Sequence, residues 1–116
     1  MQSIYATLCE LARVEIPAAV DFPSLMPIIK KQAKGEKYIF GAYKDVQRMV
    51  RSDKYKLIVY PKAKQIQLFD IVNDPHEKVN LYTVSEYAKV KRELFAAMKE
   101  LQQKYHDPVV LDLPIK

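Results

Sequence analysis

The segment from Gln47 to Leu81 leaves this chain the least freedom. Tyr55, Leu57 and Val59 alternate with Lys56, Ile58 and Tyr60, and a second run, Ile66 to Ile71, alternates in the same way. A period of two sends successive side chains to opposite faces of a sheet. Pro61-Lys62-Ala63-Lys64 separates the runs, and Pro61 ends the first because it has no N–H to give to a ladder. The pair therefore reads as a β-hairpin. Asn73-Asp74-Pro75 then halts the chain, since Asn and Asp bond their own backbone locally and Pro75 pushes Asp74 towards an extended conformation.

More strands precede the hairpin. Lys37 to Tyr43, with Tyr38-Ile39-Phe40 at its apolar centre, reads as a strand, and Lys44-Asp45-Val46 as a turn. Gln47 to Arg51 reads as another strand and Ser52-Asp53-Lys54 as a tight reversal. Short strands joined by tight turns pair antiparallel. A long helix follows the sheet. Ser85 is placed to cap it, and Tyr87, Val90, Leu94, Met98, Leu101 and Tyr105 recur at three- and four-residue steps, widened by Phe95 and Ala97. Glu86, Lys89, Arg92, Glu93, Lys99 and Glu100 are left for solvent. Asp107-Pro108 stops the helix, and Val109 to Lys116 is an apolar tail that could lie back on the sheet.

At the N-terminal end, Ser3 to Ala12 reads as a helix with Ile4, Leu8, Leu11 and Ala12 on one face. Ile16-Pro17 ends it. Ser24 to Ile29 suits a second, short helix with Ser24 as cap and Pro27 in its first turn. Lys30 to Lys37 is polar and holds Gly35, which makes it the boundary. The expected class is α+β: a small antiparallel sheet of three to four strands packed on a long C-terminal helix, preceded by one or two short helices. The expected division is 1–34, helical, and 35–116, the α+β part.

A length of 116 residues allows one core without staples. The lone Cys9 rules out an internal disulfide framework and leaves the compartment open. No apolar run approaches a bilayer span and no signal pattern opens the chain, so no membrane partner is expected. The chain is then either intracellular or a piece of something longer. The net charge is +5, concentrated between Lys30 and Lys64, where eleven Lys or Arg stand against Glu36, Asp45 and Asp53. Such a block could attract a polyanion, or it could be a solvated sheet face with long basic side chains. Nucleic acid is disfavoured as the partner, because no RNA-binding or zinc-finger pattern accompanies the block. Tyr38, Phe40, Tyr43, Tyr55 and Tyr60 fall on strand positions that suit a core.

Catalytic chemistry is hard to find. Asp70, Asp74 and His76 lack metal-ligand spacing, and turn chemistry accounts for them. Asp74 and Glu77 imitate paired carboxylates but are better accounted for as turn former and ion-pair partner. Two glycines cannot make a phosphate-cradling loop. Cys9, between Leu8 and Leu11, suits a small buried hydrophobe.

Several segments, in order and covering nearly the whole chain, resemble the C-terminal part of type I sulfatases. These are enzymes of the arylsulfatase and choline- or iduronate-sulfatase kind within the alkaline phosphatase-like superfamily. The resemblance lies in Gln47 to Ile58, then Leu68-Phe69-Asp70, then Asn73 to Glu77 with Asn80-Leu81. The opening Thr7 to Ala12 with Ile16-Pro17, and Ser24-Leu25 with Pro27, are similar to the helix and loop before that family's small subdomain. Arg13 departs from the pattern, standing where the family often has Gly, and Phe22-Pro23 replace a usual Gly-containing pair.

The resemblance implies a non-catalytic C-terminal subdomain that braces a larger domain and could rim its substrate cleft. The family's formylglycine, made from Cys or Ser in a C-x-P-x-R motif, and its calcium ion both belong to the large N-terminal α/β domain. Cys9 to Arg13 imitates that motif only in its Cys and Arg, since Leu11 replaces the Pro. No catalytic, metal or cofactor residue is therefore expected in this chain. Gln47, Arg48 and Arg51 are the candidates for a substrate rim, because Arg suits sulfate oxygens. The implied partners are the missing N-terminal sulfatase domain and a sulfated substrate. The Ile4-Leu8-Leu11 face should bury against that domain; in isolation it should drive homodimerisation or fold back on its own sheet. The alternative is a stand-alone module that binds a polyanion or a protein.

Overall fold

A computed structural model describes residues 3–111. These fall into two compact units, one ending at Glu36 and the other beginning at Lys37.

The first unit holds helix α1 (Ile4–Leu11) and the single turn α2 (Met26–Ile29). Thr7 links them: its hydroxyl donates to the Ser3 carbonyl at 2.6 Å and accepts from the Leu25 N–H at 2.9 Å. Ser24 Oγ accepts from the Met26 N–H, but Leu25 rather than Ser24 holds the cap position of α2, and neither α1 nor α2 has a side-chain cap. Helix α1 buries Ala6, Thr7 and Cys9 and leaves Ile4, Leu8 and Leu11 46%, 57% and 59% exposed. The apolar stripe of the sequence is the open face of the helix.

The second unit is a four-stranded antiparallel sheet in the order β1 (Ile39–Tyr43), β2 (Gln47–Arg51), β3 (Tyr55–Tyr60), β4 (Gln65–Asp70). Register follows from the short turns: Val50 faces Phe40 on one side and Leu57 on the other, and Leu57 faces Leu68. Helix α3 (Ala88–Lys104) crosses the face carrying Val50, Leu57, Val59, Ile66 and Leu68 and adds Leu94, Phe95, Ala97 and Met98 to one core. Each residue that the sequence left for solvent on this helix is exposed. Ser85 does not cap it, however. The chain enters through a 3-10 turn, Ser85–Tyr87, with no side-chain cap bond. Tyr38, Phe40 and Tyr55 pack on the core as expected, but Tyr43 is exposed. Val109 and Leu111 also pack on the core; the rest of the tail lies outside the described residues.

Helices α1, α2 and α3 share one termination. The second residue after each, Arg13, Lys31 and His106, has φ of 56°, 57° and 52°. The N–H groups that follow bond back, Val14 to Cys9, Gln32 to Pro27 and Asp107 to Gln102. This is the Schellman closure, which Gly supplies most often. Here neither glycine has positive φ. Arg13, which departs from the family's Gly, therefore holds the conformation that a Gly would supply.

Strand β4 is an edge, and Asn80 covers it. Its Oδ1 accepts from the Leu68 and Tyr82 N–H groups at 3.0 Å each, and its Nδ2 donates to the Ile66 carbonyl. The Leu81 N–H donates to the Leu68 carbonyl. One side chain thus stands in for a fifth strand, which explains what Asn80-Leu81 does in the resemblance. Asn80→Ala should cost about 1–3 kcal/mol, because it leaves ladder groups of β4 unpaired. Urea denaturation checks the value, and a midpoint equal to wild type would refute the role.

Candidate functional site

Alternation along β2 sends Arg48 and Val50 to the helix side and Gln47, Met49 and Arg51 to the other. Arg48 is 3% exposed. Its Nε and Nη2 donate to the two carboxylate oxygens of Asp107 at 2.6 Å each, a bidentate fork. Its Nη1 donates to the Lys44 and Gln47 carbonyls at 2.6 and 2.8 Å. Asp107 also accepts from Gln102 Nε2 at 2.7 Å and from the Val109 N–H. The Arg48 bond is the main cause that holds the Asp107 carboxyl down at about 2, against burial, which pushes it up.

This cluster is closed. Each of the three guanidinium nitrogens of Arg48 is engaged within the fold, and reaching a substrate would mean abandoning a buried carboxylate. Nor is Arg48 a surface charge, since β2 is an inner strand of the sheet and the side chain lies beneath α3's end. Gln47 is half-buried and Arg51 is exposed, with no ion pair to another described residue. The three rim candidates are thus split between two faces of one strand. Nothing in the sequence singled out Asp107 or Gln102 as partners for Arg48. Asp107-Pro108 reads only as a helix stop, and a contact spanning 59 positions leaves no periodic trace.

The loop after β4 engages its own polar groups. Asp70 accepts from the Val72 and Asn73 N–H groups and from Asn73 Nδ2. The Asn73 backbone bond is the main reason its carboxyl lies below the usual range. Asp74 accepts from the Val79 N–H at 2.8 Å. Glu77 takes both its oxygens to Lys56 Nζ at 2.8 Å. The carboxylates that imitate a metal site or a carboxylate pair, Asp70, Asp74 and Glu77, are thus engaged as turn formers and an ion pair, and His76 is exposed. Among the described residues no group of three or more His, Cys, Asp or Glu is placed to hold a metal ion. Cys9, buried within α1, does not suit a formylglycine either. No described helix is long and apolar enough to cross a membrane.

The basic block resolves into pairs. Lys30, Lys37, Arg48, Lys54, Lys56 and Lys62 each meet a carboxylate, from Glu10, Glu93, Asp107, Asp70, Glu77 and Asp45 respectively. Most of the positive surplus seen in the sequence is therefore balanced in the fold by acids from other segments. One further lysine is buried outside the block: Lys91 on α3 donates to the Tyr82 carbonyl at 2.8 Å.

Residues 2–104 match the family described as N-sulphoglucosamine sulphohydrolase, C-terminal. The chain is 29% identical to an N-acetylglucosamine-6-O-sulfatase of Bacteroides thetaiotaomicron, over 87% of this chain and 20% of that protein. It is 32% identical to a Delta 4,5-hexuronate-2-O-sulfatase of the same organism, over 75% of this chain and 20% of that protein. Its fold superposes with a TM-score of 0.78 and 26% identity on a protein solved in complex with its substrate D-glucosamine-2-N,6-O-disulfate, covering 89% of this chain and 24% of that one. The chain spans about a fifth of the length of these two sulfatase relatives.

Proposed function

The chain belongs to the N-sulphoglucosamine sulphohydrolase C-terminal family, and on that premise we propose that it serves as the bracing, non-catalytic part of a sulfuric-ester hydrolase acting on a sulfated sugar. One observation carries the reading. A fold that superposes on a quarter of a substrate-bound relative turns its two best-buried ion pairs, Arg48–Asp107 and Lys56–Glu77, in on itself. Such a unit can support a site, and in this reading the nucleophile, the base and the ion come from elsewhere.

In this reading the formylglycine and calcium belong to a preceding catalytic domain. That domain is the occupant of the exposed Ile4, Leu8 and Leu11 face, whose further burial would contribute about 1 kcal/mol per side chain, since each is already about half covered. Two copies of the isolated chain would pair through the same face. Arg51 and Gln47, on the side of β2 away from α3, keep the rim role, and Arg48 acts behind them by fixing β2 to the end of α3.

The test begins with the gene. A reading frame continuing upstream into a C-x-P-x-R or S-x-P-x-R motif is expected. Coexpressed with that upstream part, the chain should copurify with it, and the Leu8→Glu/Leu11→Glu variant should not. The purified chain alone should release no phenol from an aryl sulfate. Turnover that survives purification, or copurification indifferent to the two glutamates, overturns the reading.

A further inference from the structure

We propose that the end of the sheet formed by the β1–β2 and β3–β4 turns is a binding surface for a sulfated polysaccharide, engaged through Lys44, Lys62 and Lys64. The antiparallel register brings both turns to one end, and the Lys62–Asp45 ion pair at 2.5 Å ties them together. Asp45 is the one carboxylate in the two turns, and it is committed to Lys62. Lys44 and Lys64 meet no carboxylate among the described residues, unlike Lys37, Lys54 and Lys56 of the same segment. Of the block cations that meet no carboxylate among the described residues, Lys44 and Lys64 stand together at this end of the sheet, while Arg51 lies at the other end and Lys31 and Lys34 belong to the first unit.

The backbone supplies a second observation. Lys44 has φ of 47° and Lys64 of 51°. An L-residue in the left-handed region costs about 1–2 kcal/mol relative to the right-handed one, and Gly, Asn or Asp is the ordinary occupant of such a turn position. Lysine sits at both turns despite that cost. Arg13, Lys31 and His106 hold the same conformation to close helices and Glu77 holds it in a loop; at the two sheet turns no helix is being closed, and an exposed lysine stands there each time.

The chemistry of the surface selects among polyanions. It presents compact ammonium groups with an exposed tyrosine ring, Tyr43, the Lys44 Nζ lying 5.9 Å from the ring centroid. Ammonium groups act as point charges and suit single sulfate esters spaced along a sugar chain, and the ring offers a flat apolar face to a pyranose. Nucleic acid surfaces rely on arginine forks and several stacking rings. Here Arg48 is buried and Arg51 lies at the far end of β2. The choice of a sulfated sugar also rests on the sulfatase reading above.

The experiment measures retention of the full chain on immobilised heparin across a salt gradient. Lys44→Gly/Lys64→Gly is the informative variant, because Gly relieves the left-handed strain while removing both charges. It should fold with a Tm no lower than wild type and bind heparin about tenfold more weakly, with a shallower salt dependence. Lys89→Gln/Lys99→Gln, on the exposed side of α3, should bind as wild type. Unchanged retention of the glycine variant overturns the proposal. So does an equal loss in the α3 variant, which would mean attraction by net charge alone, or tighter binding to duplex DNA than to heparin. Any of these would leave copurification with a catalytic domain untouched, so the two readings fail separately.

Discussion

Arg48→Met should destabilise the chain by about 3–5 kcal/mol at pH 7, the range found when one member of a buried ion pair is removed. The stem of Arg48 is replaced at nearly equal length, so little of the loss is packing. What remains is the Asp107 carboxylate, whose side chain is 8% exposed and has lost its bidentate partner. The Lys44 and Gln47 carbonyls lose their donor as well. Changing both members, Arg48→Met/Asp107→Leu, should recover most of the loss, because no uncompensated charge is left behind. Urea denaturation of the three variants checks this, and a single variant as stable as wild type would remove the cluster from the account.

The pH dependence has a definite sign. Asp107 titrates at about 2 in the fold against an ordinary 3.8. A carboxyl with a depressed folded pKa contributes stability that is complete above the unfolded value and is lost as pH falls through the folded one. At about 1.4 kcal/mol for each pKa unit, the pair contributes about 2 kcal/mol that disappears between about pH 5 and pH 2. In Arg48→Met the main cause of the depression is gone and burial raises the Asp107 pKa. The gap between wild type and variant should therefore be widest at neutral pH and narrow on acidification.

The sequence carried most of the fold because the sheet is built from short-range signals. Strands β2 and β3 begin and end where the alternation does, and β4 is displaced by a single residue, running from Gln65 to Asp70. The turn between β3 and β4 lies where Pro61 denies the ladder a donor. The apolar repeat of α3 contains the residues that enter the core, and the family resemblance rests on the same stretch. What sequence could not show was where polar side chains find partners. Arg48 looked available because an isolated arginine always does; its commitment to Asp107 depends on α3 ending beside β2. Lys91 falls on the buried side of a helix and survives there through the carbonyl and the ring of Tyr82, which no pattern announces. The left-handed positions were hidden for another reason. Glycine is the local sign of them, and this chain places Arg, Lys, Glu and His there while using Gly41 in a strand, where an added Cβ would meet Met49 Cε at 2.9 Å.

Leu68→Ala is the second large effect, an expected loss of about 2–5 kcal/mol. Leu68 is fully buried on the helix side of β4, opposite Leu57 and in the cluster with Leu94, Phe95 and Met98. Strands and α3 are held by their own ladders and turns, so the site cannot collapse freely and the cavity term adds to the lost transfer energy. The position has a second role that a purely apolar core residue lacks. Its N–H and C=O are the docking points of Asn80 and Leu81, so loosening β4 also releases the segment that covers the sheet edge. Hydrogen exchange should therefore lose protection at the Leu68 and Leu81 amides together in Leu68→Ala. Val72→Ala, which truncates an exposed side chain in the following loop, should change stability by less than about 0.5 kcal/mol. If Leu68→Ala costs no more than Val72→Ala, or if the Leu81 amide keeps its protection, the sheet edge is held by something other than β4 and its Asn80 cover.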